Sequence, residues 1–195
     1  FSDAYLGHIN LTDATRFLAN ELFSDYGLVI VDGDDVELKR MFLPYVEQEL
    51  FEQSAFTEVS NTIKNLEKNY KVQVNPREIN LFYLIDGLRE RIILEGDLYK
   101  INSTDIEFTL DELHYELKLH PERFSPNVIM RPLYQEVILP SLCYIGGGGE
   151  LAYWFELKSY FEAEDVPFPI LLLRNSAVVI SEKQSKILKK LSINL

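Results

Sequence analysis

The most informative part of this chain is SPNVIMRPLYQEVILPSLCYIGGGGELAYWFELKSYFEAEDVPFPILLLR, residues 125–174. Within it, an apolar run at 139–145 precedes four consecutive glycines, Gly146 to Gly149, and a helical pattern that opens at Glu150. This order predicts a strand, a glycine turn and a helix, because consecutive glycines are tolerated where the main chain needs a positive φ or approaches another group closely. The turn places main-chain N–H groups at the start of a helix, where an anion is stabilised.

The expected ligand of such a turn is a carboxylate, phosphate or sulfate. Two alternatives stay open: Glu150 caps the free N–H groups itself, or the turn is a tight connection without a ligand. The glycines do not form the G-x-G-x-x-G dinucleotide pattern, and the run lacks the Lys-Ser/Thr that completes a phosphate-binding loop. The cofactor is therefore unknown; a nucleoside triphosphate is possible, although this chain carries no motif for one.

Polar residues precede the turn at four-residue spacing. Asn127, Arg131 and Gln135 are predicted to project from one side of a helix that is interrupted at the proline after Arg131. An arginine next to a chain kink and a glycine turn suits bidentate binding of a carboxylate or phosphate. The alternative is an ion pair with Glu136 or Glu150.

Aromatic residues follow the turn. Tyr153 and Trp154 lie in the first part of the predicted helix, where an aromatic ring with a polar edge can form the wall of a pocket. Leu157 and Phe161 continue the stripe and are expected in the core.

The N-terminal part predicts an α/β core. The apolar run 28–31 reads as a buried parallel strand that feeds a long charged helix at 36–66. Asp32, at the carboxyl end of that strand, is a secondary site candidate, since such ends line the crevice of an open α/β sheet; its alternative is to cap the next helix.

A different pattern fills residues 72–108. Short apolar runs alternate with Asp86-Gly87 and Gly96-Asp97, which predicts antiparallel hairpins in a small appended lobe. Arg91 in this lobe either faces substrate or is a solvated edge charge. Thr109 and Glu112 have the spacing of a capping box and predict a helix that ends near His120.

A second buried strand is predicted at 169–173, with Arg174 at its carboxyl end. In an alternating α/β sheet this end lies at the same edge as Asp32 and the glycine turn, so these residues are expected to converge. The last apolar pattern, among lysines from residue 181 onward, predicts a helix at the root of a coiled coil.

Several strings of the chain resemble the bacillithiol biosynthesis cysteine-adding enzyme family, the cysteine ligases of bacillithiol synthesis. They are PNVIMRPLYQEVILPSLCYIGGGGELAYWFELK, PFPILLLR, LTDATRFLANELFSDYGLVIVDGDDVELKR and INLFYLIDGLRERI. The resemblance covers nearly the whole chain.

The resemblance implies an enzyme that joins cysteine to glucosaminyl malate, with a Rossmann-like, mostly parallel sheet, a small appended β/α lobe and a coiled coil that makes a homodimer. Because family members are much longer, it also implies that the chain is a central fragment, inactive alone. The implied segments are core and outgoing helix (1–66), lobe (67–124), core with the glycine turn (125–180) and coiled-coil root (181–195).

Twelve positions match the family pattern and are implied to form the substrate site or its surroundings: Asn127, Arg131, Pro132, Gln135, Tyr144, Gly146, Gly147, Gly149, Glu150, Tyr153, Trp154 and Arg174. Two positions depart from it. Gly148 stands where the family commonly has proline, and Glu136 stands where it has aspartate.

Composition limits the function classes. With 19 basic and 31 acidic residues the net charge is -12, which repels polyanions, so nucleic acid is not an expected partner. No apolar run approaches the roughly 20 residues of a membrane span, and the single Cys143 is compatible with the cytoplasm. The three histidines are too scattered for a metal motif. The competing functions are a non-catalytic acidic α/β interaction module and another small-acid or nucleotide-binding transferase.

Overall fold

The computed structural model describes residues 1–193. Its elements, in chain order, are α1 (Ser2–Gly7), α2 (Leu11–Phe23), α3 (Val36–Met41), α4 (Leu43–Glu52), α5 (Ser54–Leu66), β1 (Leu81–Ile85), β2 (Leu88–Glu95), β3 (Leu98–Ile101), β4 (Glu107–Phe108), α6 (Leu110–Leu119), β5 (Phe124–Pro126), α7 (Arg131–Ile138), β6 (Cys143–Gly146), α8 (Gly148–Glu156), α9 (Lys158–Ala163), β7 (Ile170–Leu173) and α10 (Glu182–Lys190).

The larger sheet is antiparallel, in the order β4-β3-β2-β1-β5. The predicted hairpins are confirmed: Gly87 and Gly96 sit in the two tight turns with φ of 74° and 63°, a conformation that glycine adopts readily. The mostly parallel core sheet was wrong: among residues 1–193 only β6 and β7 pair in parallel, because the further core strand expected at 28–31 does not form. Strand β5, at the start of the 125–174 stretch, pairs with β1 and forms one edge of the antiparallel sheet.

The parallel part of the fold is the pair β6 and β7, joined through α8 and α9. Both predicted strands are present, and Cys143 pairs with Ile170 at the start of the register. The expectation that the second strand is buried was wrong: Ile170 is 67% exposed and Leu172 is 52% exposed. Among residues 1–193 no third strand joins this pair.

The strand predicted at 28–31 is wrong for a related reason. These residues form no regular element, and Val29 is 72% exposed. Main-chain N–H and C=O groups of a strand need a neighbouring strand, and none of residues 1–193 supplies one here. An apolar run identifies a segment that can become a strand, not the partner that makes it one.

The single long helix predicted at 36–66 is three helices, α3, α4 and α5. The chain breaks at Phe42, before Pro44, and again at Gln53, whose φ of 55° is left-handed. The cap of α3 is Asp35, which accepts hydrogen bonds from the main chain of Glu37 and Leu38.

One hydrophobic cluster joins these helices to the antiparallel sheet and to α7, α8 and α9. Trp154, Tyr160, Phe42 and Phe124 are its largest fully buried side chains. Burial of such aromatic rings contributes most of the apolar surface removed from water. Leu157 and Phe161 lie in this cluster, as predicted.

The predicted C-terminal helix is present as α10, and Ser181 and Gln184 form its capping box. It is an isolated exposed helix in the described part of the chain, and residues 194 and 195 of the expected 181–195 segment lie outside the described residues. Across residues 1–193, no helix combines the length and apolarity needed to cross a bilayer.

Candidate functional site

The predicted strand, glycine turn and helix are confirmed. Strand β6 ends at Gly146, Gly147 is the N-cap residue and α8 begins at Gly148, two residues before the predicted start. Glu150 binds back to the turn: its Oε2 accepts the main-chain N–H of Gly147 at 2.7 Å, and its Oε1 accepts the hydroxyl of Tyr144 at 3.0 Å. The capping alternative is thus realised at Gly147.

These contacts fix the charge at the turn. The hydrogen bond from the Gly147 main chain, with that from Tyr144, holds the pKa of Glu150 below its ordinary value, and the charges of Arg174 and Arg131 act in the same direction. Glu150 is therefore held as an anion at the turn.

The glycines are needed for close approach rather than for positive φ, which none of the four adopts. A methyl group on Gly146 would lie 2.6 Å from Cε1 of Tyr144, and one on Gly147 would lie 3.3 Å from Nη2 of Arg174. At Gly148 and Gly149 a methyl group would meet nothing within 4 Å. Gly148 and Gly149 are exposed, and no hydrogen bond from their main-chain N–H groups is found among residues 1–193, as is usual for the first turn of a helix.

Arg131 is the first residue of α7, and the proline after it occupies the helix start, where proline is favourable. Its guanidinium donates to Oε1 of Gln135 at 3.1 Å and to the hydroxyl of Tyr153 at 2.8 Å. No carboxylate of residues 1–193 forms a direct ion pair with it. The predicted alternative of a bond to Glu136 or Glu150 is not realised within those residues.

The partner of Glu136 is a different one. Its carboxylate accepts the main-chain N–H and the hydroxyl of Ser141, and it accepts the amide of Gln135 at 3.0 Å. Gln135 therefore connects the buried carboxylate of Glu136 to Arg131. Because its Nε2 donates to Glu136, its Oε1 is the atom that accepts from the guanidinium.

Asn127 does not lie on the helix, and the prediction that it shares a helical side with Arg131 and Gln135 was wrong. Because α7 starts only at Arg131, Asn127 sits one turn before it and accepts the main-chain N–H groups of Ile129 and Met130. Its own amide donates to Oδ1 of Asn80 at 2.9 Å. It thus shapes the start of α7.

Trp154 lies under the site instead of forming its wall. The indole is 0% exposed and stacks on Tyr144 with 4.2 Å between ring centroids. Within residues 1–193 its Nε1 has no hydrogen-bond acceptor. Trp154 therefore packs behind Tyr144 in the core.

Arg174 lies at the carboxyl end of β7, beside the glycine turn, as expected for parallel neighbours. Its main-chain N–H donates to the carbonyl of Gly146 at 2.8 Å. Its exposed side chain lies next to Gly147. Arg131, Arg174, Glu150 and the turn are therefore brought together.

Two other candidates lie elsewhere. Asp32 accepts the main-chain N–H of Asp34 at 3.0 Å and lines a separate cavity of about 370 Å³ beside Arg16 and α2. Arg91 lines a groove of about 200 Å³ with Arg77. Asp32 does not lie with the glycine turn and Arg174 at the carboxyl ends of β6 and β7, because residues 28–31 do not form a strand of that sheet.

Sequence reasoning missed Glu49 and Asn80, two fully buried polar residues that support Asn127. Neither belongs to a motif, and each stands inside an otherwise ordinary segment. Their shared burial depends on tertiary contacts between α4 and the residues before β1.

Comparison with known families gives one match along most of the chain. The family model described as "Bacillithiol biosynthesis BshC, N-terminal Rossmann-like domain" matches residues 1–175. Three similar curated proteins carry the name "Putative cysteine ligase BshC". That of Flavobacterium johnsoniae is 60% identical over 194 residues, which are 100% of this chain and 36% of the relative. That of Flavobacterium psychrophilum is 60% identical over 193 residues, which are 99% of this chain and 36% of the relative.

The third, from Cytophaga hutchinsonii, is 44% identical over 194 residues, which are 99% of this chain and 37% of the relative. The chain thus spans just over a third of the length of the curated relatives it matches.

Proposed function

We propose that this chain, which belongs to the bacillithiol biosynthesis BshC family, supplies the carboxylate-holding part of an enzyme that joins cysteine to glucosaminyl malate. The observation that carries the proposal is the guanidinium of Arg131. It is bonded to two neutral groups, Gln135 on α7 and Tyr153 on α8, the helix that begins at the glycine turn. A cation held in place without a directly paired carboxylate is prepared to bind a carboxylate of a ligand.

The proposed ligand is the carboxylate of malate or of cysteine. Arg131 and the N–H of Gly149 hold its oxygens, and Arg174 adds a second positive charge at the rim. The N–H of Gly148 is a further donor of this chain, since the proline common in the family at this position has none. Glu150 repels a ligand carboxylate from the capped amide of Gly147, and so directs it toward Arg131 and the two open glycines.

The remaining matching residues act by orientation. Gln135 and Tyr153 hold the plane of the Arg131 guanidinium, and Tyr144 on its Trp154 support holds Glu150. Asn127 fixes the helix start. Preorganised donors of this kind are effective because they need no rearrangement when the ligand binds.

Amide formation from an ionised carboxylate requires activation, normally by a nucleoside triphosphate. The sequence of this chain carries no triphosphate-binding motif, so we assign it the holding of the acid and not the activating step. We also propose that the chain divides into the four segments given above. The full-length protein forms a dimer through a coiled coil that begins at α10, and it is located in the cytoplasm. The biosynthetic family supports the location.

Replacement of Arg131 tests the proposal. In a protein of the relatives' full length that carries this chain, Arg131→Ala should lower kcat/KM for the ligation at least a hundredfold, since a charge-assisted bidentate contact is lost. Arg40→Ala is the matched control, because Arg40 lies exposed on α3 and, among residues 1–193, forms an ion pair with Glu37 alone. Undiminished ligation by the Arg131 variant would refute the assignment.

A further inference from the structure

A buried carboxylate joins three elements near the start of α7. Glu49 on α4 is 0% exposed. Its Oε1 accepts the main-chain N–H and the side-chain amide of Asn80 at 2.7 and 2.8 Å, and its Oε2 accepts the N–H of Ala55 at 3.0 Å. Burial raises the pKa of Glu49, against the opposing effect of these donors. A buried carboxylate is tolerated only when its oxygens are satisfied in this way.

Asn80 has all of its polar atoms committed. It is 0% exposed, and its Nδ2 donates to Glu49 and to the carbonyl of Arg77. Its Oδ1 accepts the N–H of Arg77 at 3.1 Å and the amide of Asn127 at 2.9 Å. With two acceptors on one side and two donors on the other, the amide has a single satisfied orientation.

Asn127 links Asn80 by hydrogen bonds to the start of α7, the helix that carries Arg131. Its main-chain N–H donates to the carbonyl of Asn80 at 3.0 Å, and its own carbonyl accepts the N–H of Arg131 at 2.9 Å. Its side-chain oxygen accepts from Ile129 and Met130. The start of α7 therefore depends on Asn80 through both the main chain and the side chain of Asn127.

We propose that Asn80, oriented by Glu49, is a positioning residue that fixes the start of α7 so that the Arg131 guanidinium reaches the substrate carboxylate. The inference rests on the proposed function of Arg131. Apolar side chains could fill the same volume, but only directional hydrogen bonds fix the rotation and the height of the first helical turn. Misplacement of a binding group by about 1 Å can reduce activity roughly a hundredfold.

The test measures KM and thermal stability of variants at Asn80 and at a control position in the full-length protein. Asn80→Ala should raise KM for the acidic substrate at least tenfold at a temperature where the variant is folded, with a smaller change in kcat. Tyr99→Phe is the matched control: it deletes the hydrogen bond from a buried tyrosine to the Leu50 carbonyl in the same core, and should leave KM within twofold. If Asn80→Ala does not fold, Asn80→Ser should show the same rise, because a hydroxyl spans fewer of the partners.

A double-mutant cycle separates positioning from general damage. In the Arg131→Ala background, Asn80→Ala should change KM less than twofold, since residues that act through one another are not additive. Unchanged KM in a folded Asn80 variant, while Arg131→Ala raises it, overturns this inference alone. Unchanged KM in Arg131→Ala overturns the proposed function instead.

Discussion

Gly146 and Gly147 are the two glycines of the turn at which a side chain would meet other atoms. A methyl group on Gly146 would crowd Tyr144, Glu150 and Leu151, whereas Gly148 faces open space. The run of glycines predicted the turn correctly, but its composition did not indicate which positions need glycine. That distinction depends on the rings and carboxylate that fold against the turn.

At Gly146, alanine should destabilise the protein by about 1–3 kcal/mol, the usual effect of overpacking. At Gly148, proline should stabilise it by about 0.4–1 kcal/mol, because the first helical position accepts proline and the unfolded chain loses freedom. Gly147 has φ -69° and ψ 166°, which suits the residue before proline. Urea denaturation of the two variants measures both effects, and destabilisation by Gly148→Pro would contradict the geometry of the turn.

The elements that were predicted correctly have strong local signals. The two hairpin turns and the capping box of α6 are determined by neighbouring residues, and both appear as expected. The break at Gln53 and the position of Asn127 outside α7 were not predictable in this way. Gln53 is not a residue that favours a left-handed conformation, so the tertiary packing of α4 against α5 imposes it.

The capping box gives a pH-dependent prediction. The main chain and hydroxyl of Thr109 hold the pKa of Glu112 below its ordinary value of 4.5. The carboxylate therefore stabilises the folded protein fully above pH 4.5, and this contribution is lost as the pH falls through the lower folded value. Glu112→Gln should weaken the dependence of Tm on pH in that acidic window.

Thr109→Ala provides the comparison for this element. It should lower the free energy of unfolding by about 1 kcal/mol, the typical effect of removing an N-cap. A Tm that varies with acid pH as steeply in Glu112→Gln as in the original chain would contradict the role of Glu112.

At the scale of the whole molecule, sequence patterns identified strands but not their partners. The run 28–31 has the composition of a buried strand and forms none, and β7 is apolar yet exposed. Strand pairing depends on contacts distant in sequence, so the alternating pattern predicted a mostly parallel core sheet although, among residues 1–193, only β6 and β7 pair in parallel. The order of α7, β6, the glycine turn and α8 was predicted better because these elements are consecutive in the chain.

The exposed parallel pair predicts association of the isolated 195-residue chain, since apolar sheet edges promote pairing with other chains. In the original chain, light scattering should rise with protein concentration as the chains associate. In Leu172→Lys this rise should be smaller. Leu119→Lys, at an equally exposed apolar position at the end of α6, adds the same charge and should have little effect. Equal scattering by the two variants would indicate that β7 is not the associating surface.

The most direct test of the account is a crystal structure of a full-length protein carrying this chain with bound glucosaminyl malate. We expect a carboxylate of the ligand within about 3 Å of the Arg131 guanidinium and of the N–H groups of Gly148 or Gly149. A ligand bound elsewhere, with Arg131 still bonded only to Gln135 and Tyr153, would contradict it.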